Sequence, residues 1–228
     1  MMEKLDCLAK KGTVNVVIVI GGMIGLGKTS MAELLGRHFQ TEVFYESVDD
    51  NPILPLFYTA TEEEIKKKRY PFLLQLHFLD TRFKSIKKAL SHQHNILDRS
   101  IYEDWYFAKV NRELGRISDL EFQIYEHLLD NMLEEIEGMP KKAPDLMVYL
   151  KGSFETVLSR IIARGRSYEL DEHLKAYYYK LWEGYDEWVM KHYHASEVII
   201  VDMDQYDIVN READAKEIIR LVEEKLMN

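Results

Sequence analysis

The stretch VVIVIGGMIGLGKTSMAELL, residues 16–35, decides the fold. Its opening run of five β-branched residues suits a strand buried on both faces of a sheet. A knot of glycines follows, and then a pattern of helical period. Gly22-x-x-x-x-Gly27-Lys28-Thr29 satisfies the phosphate-loop pattern G-x-x-x-x-G-K-[ST]. Glycines such as Gly22, Gly25 and Gly27 let the backbone turn tightly and aim successive N–H groups at phosphate oxygens. The positive end of the following helix adds to that field. Lys28 is expected to reach the β- and γ-phosphates and the Thr29 hydroxyl to bind Mg²⁺, with Ser30 completing the loop. A glycine turn that binds nothing is the bland alternative. The strand before it and the helical period after it speak for a nucleoside triphosphate site.

The whole chain has 228 residues, enough for one sizeable core, and one domain over 1–228 is expected, with 1–13 as an N-terminal extension. A formal charge of −9 argues against DNA or RNA as the main partner, while leaving room for a local basic cluster around a small anion. The longest aliphatic run is far short of a membrane span, and no secretory signal is visible. A single cysteine, Cys7, forms no internal disulfide, so the reading is a reducing cytoplasm.

Strand-like runs at 14–20, 42–45, 95–97, 146–150 and 198–201 alternate with helical periods at 72–90, 120–136, 154–162 and 174–188. This alternation predicts an α/β fold: a five-stranded parallel sheet flanked by helices, with ligands beyond the carboxyl ends of the strands. Functional residues should therefore follow the strands. Glu46 follows the second, and Asp98-Arg99-Ser100 follows the third. Asp98 stands where phosphate-loop enzymes keep a magnesium-associated carboxylate, and Arg99 is suited to the charge of a transferring phosphoryl group. Glu46 can accept the proton of an attacking hydroxyl. Each alone is common as a helix cap or solvated charge; together, beside a phosphate loop, they describe a phosphotransferase. No N-K-x-D and no D-x-x-G occurs, which disfavours a GTPase.

Gln75, Leu79 and Arg82 fall on one helical face, and a side-chain amide suits a nucleobase edge. Arg82 and Asp104 can pair beside it. Arg160, Arg164 and Arg166 form a basic turn whose guanidinium forks suit phosphate oxygens, as in an Arg-rich lid. The segment 61–69, TEEEIKKKR, reads as a solvent-exposed helix laced by Glu–Lys pairs. The aromatic run Tyr177-Tyr178-Tyr179, with Trp182, Tyr185 and Trp188, reads as core or interface packing. The pairs His92/His94 and His192/His194 lack the further ligands a metal centre needs.

Four blocks together, YESVDDNPILPLFY (45–58), PFLLQLHFLDTRF (71–83), LDRSIYEDWYF (97–107) and RIIARGRSYE (160–169), resemble the deoxynucleoside kinase family, in particular its bacterial deoxyadenosine/deoxyguanosine kinase branch. The resemblance implies a homodimer formed by helices, and transfer of the γ-phosphoryl of ATP, with Mg²⁺, to the 5′-hydroxyl of a deoxynucleoside. It implies Glu46 as general base, Asp98 as the magnesium-associated carboxylate and Arg99 as a phosphate contact. Many relatives carry Glu at the position of Asp98, and the shorter side chain leaves space for a water at the metal. It further implies Gln75, Arg82 and Asp104 as the lining of the base pocket, a set that thymidine-accepting relatives tend to lack. Tyr58 and Glu169 match the contacts to the sugar 3′-hydroxyl. The loop VDMDQYDIV (201–209), with Asp202, Asp204 and Asp207, lies over the donor base by the same resemblance. Two rivals share parts of the pattern. A nucleoside monophosphate kinase needs cations around its acceptor phosphate, and a non-catalytic nucleotide-binding regulator needs no Glu46.

Overall fold

The computed structural model of the chain describes residues 16–46, 48, 50–92, 94–137 and 143–227. Cys7, the extension 1–13 and Ser47 lie outside these residues. Five strands, β1 (Val17–Gly22), β2 (Glu42–Phe44), β3 (Asn95–Asp98), β4 (Leu146–Lys151) and β5 (Glu197–Asp202), form one parallel sheet in the order β2-β3-β1-β4-β5. The aliphatic run that opens the phosphate-loop stretch is the central strand. Val17 to Ile20 are buried completely or nearly so, as a strand covered on both faces demands.

The α-helices are α1 (Lys28–Phe39), α2 (Leu54–Thr59), α3 (Glu62–Lys68), α4 (Tyr70–His92), α5 (Ile101–Glu113), α6 (Asp119–Glu137), α7 (Phe154–Arg164), α8 (Leu174–His192) and α9 (Glu212–Leu226). A 3₁₀ turn, Ser167–Glu169, follows α7. From β1 the chain runs to the edge strand β2, returns through β3, and then passes to β4 and β5 on the other side. Strand order reverses at β1, so the crevice at the carboxyl ends opens where the phosphate loop leaves that strand.

Four strands run longer than their apolar cores suggest, β4 by the one residue Lys151, which pairs with Asp202. β1 continues through Gly21 and Gly22 because both still pair with Tyr149 and Leu150 of β4. β3 and β5 each end on an aspartate, Asp98 and Asp202, kept in register by the neighbouring strand. The charged segment is an exposed helix, α3, with no buried residue. Thr61 and Glu64 close a capping box at its start, and the order acid first, base last complements the helix dipole. In α8, Tyr177, Tyr178, Tyr185 and Trp188 are core, whereas Tyr179 is exposed.

One glycine in α8 is there for a close approach. A Cβ on Gly184 would lie 2.8 Å from the hydroxyl of Tyr106, which is buried and donates to the carbonyl of Leu181 at 2.6 Å. Gly184→Ala gains helix propensity but must move that ring. We expect a net loss of about 1–3 kcal/mol in denaturant unfolding, as for an overpacked core.

Candidate active site

Two cavities open at the carboxyl ends of the central strands. The outer, about 1100 Å³ including its mouth, is walled by Gly25, Gly27, Lys28, Thr29, Ser30, Asp98, Arg160, Arg164 and Arg166 among others. The inner, about 600 Å³, is walled by Tyr58, Gln75, Phe78, Arg99, Asp104, Phe107 and Glu169 among others. Lys28, Glu46, Val48, Arg164 and Arg166 line both.

The outer cavity is built by the glycine knot. Gly22, Gly25 and Gly27 hold φ of +146°, +86° and +88°, conformations that side chains resist. Space forbids a side chain at Gly22 as well, since a Cβ there would meet the Leu150 carbonyl oxygen at 2.7 Å. Gly22→Ala should therefore cost about 1–3 kcal/mol of stability and weaken nucleoside triphosphate binding; thermal melts with and without nucleotide read both. Gly27 caps α1 with no side-chain partner for its first turn, leaving those N–H groups to a ligand.

Lys28 is buried and its Nζ donates to the Met23 carbonyl at 3.1 Å. Burial, helped by Arg99 and opposed by Asp98, Glu46 and Glu103, lowers its pKa to about 8. Thr29 Oγ1 donates to Asp98 Oδ2 at 2.6 Å. Asp98 Oδ1 is buried and has no partner. A hydroxyl and an orphaned carboxylate oxygen side by side, facing the phosphate loop, are the hard oxygen donors that Mg²⁺ takes, so the residues fit that ion. Burial raises the Asp98 pKa against the pull of Lys28, and a cation at that oxygen would reverse the shift. Among the described residues no group of three or more His, Cys, Asp or Glu side chains is arranged to hold a metal alone. An ion here would depend on the nucleotide's own phosphates.

Against the inner cavity lies a cluster of buried charges: Glu46, Arg99 and Asp104 line it, whereas Arg82, expected from the sequence to line a base pocket, stands behind them and does not. Glu46, just past β2, accepts from Arg82 Nη2 at 2.9 Å and lies 3.0 Å from Arg99 Nε. Arg82 Nε donates to Asp104 Oδ2 at 2.5 Å, and Nη1 donates to the Asp98 carbonyl at 3.2 Å. Burial would raise the Glu46 pKa, but Arg99, Arg82 and Lys28 outweigh it and bring it down to about 2. Glu46 is thus a carboxylate at any ordinary pH. Arg99 sits at φ 81°, a strained backbone for a non-glycine residue, directly after β3. Its guanidinium lies 4.7 Å from the centre of the Phe107 ring.

Gln75, Leu79 and Arg82 do share the buried face of α4. Phe78 and Phe107 wall the cavity beside Gln75 and Asp104. Tyr58 is buried in α2 and stacked on Tyr168 at 5.8 Å. Glu169 is buried in the 3₁₀ turn, where Arg164 Nη2 reaches it at 2.5 Å and Arg166 Nη1 at 3.6 Å. Arg160 donates instead to the carbonyls of Leu26 and Met203, at 3.0 and 3.1 Å, tying α7 to the phosphate loop. In the loop after β5, Asp204 accepts from Ser153, and Asp207 from Val209 and Asn210.

One member of the cluster went unread in the sequence. Glu103 is fully buried between Gly22, Arg99 and Tyr185. The signal was there in S-I-Y-E, a capping box opening α5. No helix is long and apolar enough to cross a membrane among the described residues.

Known proteins resemble this chain in sequence and in fold. A family model described as Deoxynucleoside kinase matches residues 18–228. The chain is 46% identical to a deoxyguanosine kinase of Lactobacillus acidophilus over 213 residues, covering 92% of this chain and 90% of the relative. It is 42% identical to a deoxyadenosine kinase of the same organism, covering 92% and 96%. A solved structure of deoxyadenosine kinase from M. mycoides with bound dCTP superposes with a TM-score of 0.75 at 27% identity, covering 92% of this chain and all of that one.

Proposed function

The chain belongs to the deoxynucleoside kinase family and is a kinase acting on a nucleoside hydroxyl; on that premise we propose that it transfers the γ-phosphoryl of ATP to the 5′-hydroxyl of a deoxynucleoside, purines preferred, feeding nucleotide salvage. The observation that carries this reading is the junction of the two cavities at Lys28 and Glu46. A triphosphate on the glycine loop ends there, and a nucleoside in the inner cavity begins there.

The chemistry follows from the charges. Phosphoryl transfer passes through a loose transition state, so positioning and electrostatics supply most of the rate. Glu46, held ionised by two arginines, accepts a hydrogen bond from the 5′-hydroxyl and aims its oxygen at the γ-phosphorus. A carboxylate with a pKa of about 2 is a weak base, which suits a late proton transfer from a nucleophile that is little deprotonated when bond breaking is advanced. Lys28 and Arg99 balance charge on the transferring group, and Arg160, Arg164 and Arg166 serve as the lid around it. Thr29 and Asp98 would hold Mg²⁺, which would supply positive charge to offset that of the triphosphate.

For the acceptor, Gln75 presents a donor and an acceptor to the base, with the Arg82–Asp104 pair beside it. Two relatives above 40% identity are named for deoxyguanosine and deoxyadenosine, which supports a purine. Tyr58 and Glu169 would take the 3′-hydroxyl. A monophosphate acceptor is disfavoured because ionised Glu46 would repel its phosphate. We assign the chain one catalytic domain, a homodimer and a cytoplasmic location.

The test is a steady-state assay with ATP and each of the four natural deoxynucleosides, alongside deoxyadenosine monophosphate. Deoxyadenosine or deoxyguanosine should give the highest kcat/KM and the monophosphate no product. A preference for thymidine would overturn the assignment of Gln75, Arg82 and Asp104. The pH profile adds a second check. Lys28 must be charged to meet the triphosphate, and in the free enzyme its proton leaves as pH rises through about 8. The kcat/KM for ATP should fall above that pH, while kcat stays flat because bound phosphates raise the same pKa. In Lys28→Arg the alkaline limb should disappear.

A further inference from the structure

Glu103 is the most completely buried charge of the chain's interior cluster, yet it faces neither cavity. Its two oxygens have four donors. Oε1 accepts from the Gly22 N–H at 3.0 Å and from the Tyr185 hydroxyl, and lies 3.4 Å from Arg99 Nη1. Oε2 accepts from the Ser100 N–H at 2.7 Å, and the Ser100 hydroxyl returns a bond from the Glu103 N–H at 3.2 Å. Three donors converge on Oε1 and one holds Oε2, so the carboxylate is fixed through both of its oxygens.

What the four donors belong to gives the arrangement its meaning. Gly22 is the last residue of β1 and the first glycine of the phosphate loop. Arg99 stands on the next strand, one residue past β3, in a backbone conformation it would not choose alone. Tyr185 comes from α8, stacked on Tyr149 of β4 at 5.8 Å and 2°. One carboxylate therefore ties the loop that takes the donor to the arginine that stands at the acceptor. Arg99 has two carboxylate partners of different kinds. Glu46 is shared with the cavity and is free to exchange its arginine contact for a hydroxyl. Glu103 lies outside the cavity and keeps its hold when substrates arrive.

We infer that Glu103, supported by Tyr185, is a positioning residue for phosphoryl transfer: it fixes the Arg99 guanidinium relative to the phosphate loop while Glu46 engages the acceptor hydroxyl. The inference rests on the proposed role of Arg99 at the transferring phosphoryl group. Glutamine at 103 has nearly the same shape but exchanges one acceptor oxygen for a donor NH₂, which then opposes either the Ser100 N–H or the Gly22–Tyr185 set. Arg99 keeps its charge and loses its fixed direction.

The expected result for Glu103→Gln is a kcat lowered about 10- to 100-fold, the range seen where an outer partner orients a functional group. KM for ATP and for the deoxynucleoside should stay within about twofold, since neither substrate touches Glu103. Tyr185→Phe, which leaves the carboxylate in place, should lower kcat in the same selective way by a smaller factor. It carries the test if Glu103→Gln does not fold. The decisive comparison is a cycle with Arg99→Lys. If Glu103 or Tyr185 acts through Arg99, adding its substitution to Arg99→Lys should slow the enzyme little further. Full kcat per folded molecule in both variants, with only a lower melting temperature, would overturn the inference, and so would multiplicative losses in the cycle. A wild-type enzyme that phosphorylates no deoxynucleoside would overturn the function instead, and the parallel wild-type assay keeps the two failures apart.

Discussion

Replacing Glu46 by glutamine should lower kcat roughly 10²- to 10⁴-fold, the usual contribution of a positioned general base, with little change in KM for ATP. Two things are lost at once. The amide cannot take the hydroxyl proton, and its neutral oxygen holds Arg82 and Arg99 less firmly than a carboxylate that accepts at 2.9 Å and lies 3.0 Å from the second guanidinium. The donor site keeps its shape, because the Thr29–Asp98 bond and the loop backbone do not involve Glu46, although Lys28 loses one of the carboxylates that favour its charge. Steady-state kinetics with the deoxynucleoside at saturation separate these effects. Turnover equal to wild type would remove Glu46 from the reaction.

Arg82→Leu is expected to be the most destabilising substitution in the site. Arg82 bonds to Asp104, Glu46 and the Asp98 carbonyl from a position that is itself only 7% exposed. Removing it leaves Asp104 without its ion-pair partner, and breaking a buried pair from one side costs about 3–5 kcal/mol. Chemical denaturation should show a midpoint shift of that size. The double change Arg82→Leu with Asp104→Leu removes both charges and should recover part of the loss. Activity should not recover with it, since the pair proposed to read the base is gone. Recovery of purine phosphorylation in the double variant would contradict the assignment of the pair.

Much of this arrangement can be read in the sequence, and the reasons differ by residue. β1 and its loop are legible because a local pattern of β-branched residues, glycines, Lys28 and Thr29 has few other physical uses. Asp98 and Arg99 are legible from position, as polar residues ending an apolar strand in a parallel sheet. Arg82 and Asp104 are 22 positions apart, and only the crossing of α4 and α5 brings them to 2.5 Å. Periodicity puts each on a helix face but says nothing about which faces meet: opposite charge makes the pair possible, and the base-pocket role comes from the family resemblance. Glu103 marks the limit of pattern reading. Its capping box is local, but its contacts to Gly22 and Tyr185 span 81 and 82 residues of chain. The strain at Arg99 is likewise invisible until the backbone is seen.

Lys28 and Glu46 line both cavities and mark the point where the proposed donor and acceptor meet. A crystal structure of the enzyme with deoxyadenosine and a non-hydrolysable ATP analogue tests it most directly. The predicted result is a 5′-oxygen within roughly 2.6–3.2 Å of a Glu46 carboxylate oxygen, facing a γ-phosphate that rests on Lys28 and the glycine loop. A nucleoside bound with its 5′-oxygen turned away from Glu46, or a triphosphate bound away from Lys28, would contradict it.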